Sequence, residues 1–189
     1  MTMRIERLAI CGLMLFCAAQ VHADPLSLSW VDLSATSLHP DQGTTGHGGK
    51  LDLSYALSNQ AFMYASGAQQ DFDAERDRLY RFGVGIGTDP SAGYVVYATA
   101  GWNHAGADFS GAPGKLDHGW DIGAGIRALL APQWGVYAGA RYVHNADLDY
   151  HAQGDAGLRY ALSPHWTLGA GLDINPDQTA YVLSLRVYY

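Results

Sequence analysis

The sequence predicts an all-β chain folded as a closed antiparallel up-and-down transmembrane β-barrel, with ten strands expected and eight as the alternative. Three observations predict it: two-residue alternation, a hairpin repeated at fixed spacing, and aromatics gathered at strand ends. Alternation is clearest in AYVLSLRVYY, residues 180–189. Tyr181, Leu183, Leu185, Val187 and Tyr189 share one side of an extended chain, and Val182, Ser184, Arg186 and Tyr188 share the other. The repeat aligns DIGAGIRALLAPQWGVYAGAR (121–141) with QGDAGLRYALSPHWTLGAGLD (153–173), a spacing of 32 residues. Arg127 then matches Arg159, Pro132 matches Pro164, Trp134 matches Trp166, and Gly139 matches Gly171. Each copy reads as strand, tight turn, strand.

Residues 1–23 are expected to be a signal peptide and residues 24–189 the barrel domain. Arg4 and Arg7 precede the apolar run LAICGLMLFCAA, and Val21-His22-Ala23 offers a small residue before a cut. That run is too short to cross a bilayer as a helix. The strands that follow are predicted at 26–35, 49–58, 61–70, 77–88, 93–104, 116–130, 133–145, 151–162, 165–174 and 179–189. LDLSYALSNQAFMYASG supplies the second and third, and LYRFGVGIGTDPSAGYVVYATAG the fourth and fifth. Links near Asn59, Asp89, Pro132 and Pro164 are short. Those at 36–48 and 105–115 are long, and those near Asp73, Asp147 and Pro176 are intermediate. Short turns on one rim and longer loops on the other suit an outer-membrane barrel.

Composition agrees. The 23 glycines and 12 tyrosines favour strands over long helices, and both cysteines lie inside the leader. A net charge of −7 argues against a nucleic-acid partner.

From the fourth predicted strand to the ninth, even-numbered residues are apolar while odd-numbered ones carry the charge and most of the glycine. The odd set places Arg81, Asp121, Arg127, Arg141, Asp155, Arg159 and Asp173 inside the barrel, joined by Asp52 and Arg186. Within the apolar set the aromatics form two belts. Phe62, Tyr94, Trp134 and Trp166 lie by the short turns; Tyr80, Trp102, Trp120 and Tyr142 lie towards the long loops. Aromatic girdles around an aliphatic band mark a wall that crosses a bilayer. Eight residues separate Trp134 from Tyr142, on the order of 20 Å along the barrel axis for tilted strands. Lipid cannot pair an open sheet edge, so the last strand must close against the first. Outer-membrane lipid is therefore an expected partner.

With those features the chain resembles the small outer-membrane β-barrels of Gram-negative bacteria, the OmpA-like transmembrane group. The leader, the GAGIRALLAPQW-type hairpins and the terminal YVLSLRVYY carry the resemblance. It implies recognition of the final strand by the barrel assembly machinery, through Tyr181, Leu183, Leu185, Val187 and Tyr189. Tyr189 stands where phenylalanine is commoner, and no peptidoglycan-binding domain follows the barrel. The resemblance further implies export to the outer membrane and a porin-like or cell-surface role.

Two readings of the lumen stand side by side. Its arginines and aspartates form either a filling network of ion pairs, leaving a structural or surface-interaction role, or a narrow porin-like channel for small solutes. Inward glycines such as Gly83, Gly125 and Gly171 leave space, or serve strand curvature. His39, His47, His104, His118, His144 and His151 map near the long-loop rim without a ligand spacing, so no metal site and no cofactor are expected. HNADLDYH (144–151) with Asp71 and Asp73 resembles the His-Asp equipment of outer-membrane proteases, but strands this short leave no cleft above the membrane. The expectation is a non-enzyme. The sequence identifies no extracellular ligand.

Overall fold

The computed structural model describes residues 26–40, 44–72, 75–109, 117–145 and 151–189. The predicted signal peptide therefore lies outside the described residues. Ten strands follow in order: β1 (Trp30–Pro40), β2 (Gly46–Ala56), β3 (Ala61–Asp71), β4 (Glu75–Gly87), β5 (Tyr94–Phe109), β6 (Asp117–Ala131), β7 (Trp134–Asn145), β8 (His151–Ala161), β9 (Trp166–Asn175) and β10 (Gln178–Tyr188). Each pairs antiparallel with its sequence neighbour, and β1 pairs with β10 from Trp30↔Tyr188 to Pro40↔Gln178. The sheet is a closed barrel of ten strands, not eight.

Turn chemistry fixes the short-turn rim. After β4, the Asp89 side chain accepts the Ser91 N–H at 2.9 Å, and a single 3-10 turn, Pro90–Ala92, ends on Gly93 at φ 78°. Only glycine adopts that left-handed conformation without cost. The β6–β7 hairpin turns through Pro132 and Gln133 alone, with a register shift between Leu129 and Ala131. On the opposite rim β1 runs to Pro40 and β2 starts at Gly46, so the long link expected at 36–48 is mostly strand.

The wall is inverted relative to a water-soluble domain. Trp102 and Leu183 are 64% and 63% exposed on the outside, while Asp32 and Asp121 are 2% and 1% exposed within. A soluble protein seldom buries such groups while exposing a continuous apolar band.

Two expectations are corrected. The first strand begins at Trp30 rather than residue 26, and Leu26–Ser29 precede the ladder. Phe62 is 7% exposed and points inward, packed with Leu26, Leu28 and Val95, so it belongs to no outer belt. Strand register explains the second case. Paired residues share a face, and Gln70 pairs with Asp77, so the inward set changes from even on β3 to odd on β4.

Inward glycines accommodate tyrosine rings. A Cβ on Gly83 would meet the Tyr64 ring, one on Gly125 the Tyr97 ring, and one on Gly171 the Tyr137 hydroxyl. Gly171→Ala should therefore destabilise the barrel by about 1–3 kcal/mol through overpacking. Its methyl would also sit 2.6 Å from the Ala156 carbonyl oxygen, which cannot step aside as a side chain can. Urea unfolding of the detergent-folded barrel, followed by tryptophan fluorescence, measures the loss.

Candidate functional site

The lumen gathers the chain's buried charge into two networks. In the first, Asp32 on β1 accepts from Arg186 Nε on β10 at 2.8 Å and faces Arg159 Nη2 on β8 at 2.8 Å. Ser34 Oγ donates to its other oxygen at 2.9 Å. The Arg186 guanidinium lies 3.7 Å from the centre of the Trp30 ring, a cation–π contact in addition to the ion pair. Asp32 and Arg186 are register partners, so this network spans the seam where the chain's first and last strands meet.

The second network crosses from β3 to β7. Tyr64 Oη donates to Asp121 Oδ1 at 3.0 Å, and Arg141 Nε stands 3.4 Å from the same oxygen. Nearby Lys50 Nζ lies 3.0 Å from Asp52 on its own strand. Arg81 is 6% exposed and makes one long contact, from Nη2 to Ser66 Oγ at 3.5 Å. Its Nε and Nη1 have no hydrogen-bond partner among the described residues.

At the short-turn rim, residues ahead of β1 enter the barrel. Arg127 donates from Nη1 to the Ser27 carbonyl at 3.1 Å and from Nη2 to the Leu26 carbonyl at 3.4 Å. Ser54 Oγ donates to the Leu28 carbonyl at 2.6 Å, and the Ala56 N–H donates to Ser29 Oγ at 3.0 Å. These bonds hold Leu26 and Leu28 against Phe62 and Val95 as an apolar floor. Above it a cavity of about 830 Å³ runs up the lumen, from Leu28 and Phe62 to Asp117 and Gln178 at the long-loop rim.

The nine charged residues singled out in the sequence all face the lumen, but the structure does not join them all. Arg159 and Arg186 meet at Asp32, which the sequence reading missed because the inward set on β1 is even-numbered, unlike the odd set read from the fourth strand to the ninth. Arg141 meets Asp121. Asp155 and Asp173 are direct partners across β8 and β9, with no cation at ion-pair distance among the described residues. Tyr80, Tyr94, Trp102, Trp120, Trp134 and Trp166 are exposed on the outer wall, and Tyr142 is half-buried there against Trp120. On β10, Tyr181 and Leu183 face outward, Leu185 and Val187 are half-buried, and Tyr189 Oη donates to the Ser54 carbonyl at 3.0 Å.

At the long-loop rim His104 and His118 approach Nδ1 to Nδ1 at 2.8 Å. Among the described residues no group of three or more His, Cys, Asp or Glu is placed to hold a metal. Asp73 and residues 146–150, which include the aspartates of HNADLDYH, lie outside the described residues.

An inverted closed sheet with ionised residues inside defines a transmembrane β-barrel of the outer-membrane type. The chain belongs to the outer membrane protein beta-barrel domain family, whose model matches residues 8–154. Its place is the outer membrane. The match is to that family and not specifically to the OmpA-like group the sequence resembles. No curated protein matches the chain significantly.

Among solved structures it is similar to the KdgM porin, determined in complex with disordered oligogalacturonate, at 9% identity and a TM-score of 0.48 over 85% of this chain and 99% of that one. Neisserial surface protein A matches at 15% identity and a TM-score of 0.41 over 86% and 98%. A bacterial polysaccharide outer membrane secretin matches at 14% identity and a TM-score of 0.50 over 85% and 65%. Identities this low show the fold alone.

Proposed function

We propose that this is a non-enzymatic outer-membrane barrel with a structural or surface-interaction role, its lumen shut at the short-turn rim. The observation that carries the reading is the floor of Leu26, Leu28, Phe62 and Val95, tied down by Arg127 and Ser54. Such a floor disfavours hydrated ions, because its apolar side chains offer nothing to replace their water. The apolar outer wall takes outer-membrane lipid as its partner, and the long loops face the exterior. The terminal strand, from Tyr181 to Tyr189, serves the barrel assembly machinery during insertion.

The cavity above the floor favours a second reading, a narrow channel for small solutes. Single-channel recording in planar bilayers separates the two. Wild-type barrel should be silent, and the double variant Leu26→Asp/Leu28→Asp should conduct, because two carboxylates cannot stay in an apolar floor. A conducting wild type would establish the channel instead.

A further inference from the structure

The lumen is polarised across its width. Arg81 sits on β4, and Asp155 and Asp173 sit on β8 and β9. In a ring of ten strands β4 and β9 are five steps apart in either direction, so the two groups face each other. Lys50, Asp52 and Arg81 lie within electrostatic reach of the Asp173 carboxylate. All three of Arg81, Asp155 and Asp173 line the same cavity.

Each wall is chemically incomplete. Arg81 is buried, yet its Nε and Nη1 donate to no acceptor among the described residues. Arg141 acts on it as a like charge, against the opposite charges of Asp52 and Asp121, neither of which is within hydrogen-bond distance of it. An arginine so placed is completed by an anionic oxygen. Opposite it, two carboxylates stand directly across a strand pair and repel each other. A positive group between them relieves that repulsion.

We infer that the mid-lumen cavity is a binding site for a small zwitterion, a molecule with a carboxylate or phosphate at one end and an ammonium at the other. The anion takes Arg81, with Ser66 Oγ beside it. The ammonium takes Asp155 and Asp173. A simple anion leaves the carboxylate pair uncompensated, and a simple cation leaves Arg81 without an acceptor. The site does not depend on whether the floor opens, since it lies above Leu28.

The test uses the full barrel in neutral detergent and isothermal titration with β-alanine, γ-aminobutyrate and ε-aminocaproate, against caproate and hexylamine. One of the amino acids should bind at least about tenfold more tightly than either singly charged compound, and affinity should vary with spacer length. Asp155→Asn/Asp173→Asn should remove that advantage while leaving caproate binding unchanged; Arg81→Gln should remove the advantage over hexylamine. Heat-modifiable gel migration confirms that each variant is folded, and the wild-type comparison needs no variant. Equal binding of caproate and ε-aminocaproate overturns the proposal in favour of an anion site. Absence of binding by every compound reduces the cavity to a water-filled space and overturns it too.

Discussion

Asp32→Ala is expected to be the most damaging single change in the lumen, costing about 3–5 kcal/mol, the usual penalty for removing one partner of a buried ion pair. Two guanidiniums converge on Oδ2 of Asp32, each at 2.8 Å. Arg127 adds a third positive charge within reach of both. Without the carboxylate these buried arginines repel one another with no anion between them. The loss also falls on the seam between β1 and β10, where the pair joins residues 154 apart in sequence. The same seam carries the backbone ladder from Trp30↔Tyr188 to Pro40↔Gln178, so the closure of the barrel should weaken with the network.

Asp71→Ala is the contrast. Arg76 and Asp71 pair at the long-loop rim with side chains 54% and 49% exposed, and their separation costs little. Urea titration of both variants in lipid vesicles, read by tryptophan fluorescence and by heat-modifiable migration, gives the comparison. Should the two variants lose similar stability, the seam network is solvated and contributes little.

How far the sequence could be read follows from register. Along β4 to β9 one parity holds, because partner pairs join residues of equal parity, as in Ala98↔Ala124 and Ala124↔Ala140, except Ala131↔Trp134 beside the β6–β7 turn. Arg127 and Arg141 could therefore be placed inside from the sequence alone. Parity changes at two links on the long-loop rim, shown by Gln70↔Asp77 and Gln178↔Asn175. The terminal strand was readable because its own alternation is strong. Phe62 was not, because it is a large apolar residue on the inward side of a strand.

A signal for Phe62 was present in its neighbours. Ser54, Tyr64 and Ser66 are even-numbered and polar-tipped, while Leu53, Tyr55 and Met63 are odd-numbered and apolar. Polarity along β2 and β3 together therefore marks the even set as inward. Leu26 and Leu28 had no such signal. LSLSWVDLS alternates as a strand does, and nothing in it separates a residue that lines a floor from one that lines a wall. The floor exists only because Phe62 and Val95, distant in sequence, supply its other half.

The identity of the outer solvent can be tested by one substitution made at two depths. Ala124 on β6 is exposed and flanked by Ala98 and Ala140, outward positions of the adjoining strands. It lies four residues from Trp120 in the loop-side belt, roughly 10 Å along the axis of a tilted strand, near the midplane of a ~25 Å apolar band. Ala152 on β8 is exposed too, but it pairs with Tyr142 inside that belt. Ala124→Arg should therefore cost about 2–4 kcal/mol in lipid vesicles, and Ala152→Arg about 0–1 kcal/mol, the depth dependence that hydrocarbon imposes on a charge. Intrinsic propensity and side-chain volume change identically at both sites, so only the surroundings distinguish them. Equal costs would mean that water or protein covers this face, and the lipid partnership proposed for the wall would fail with them.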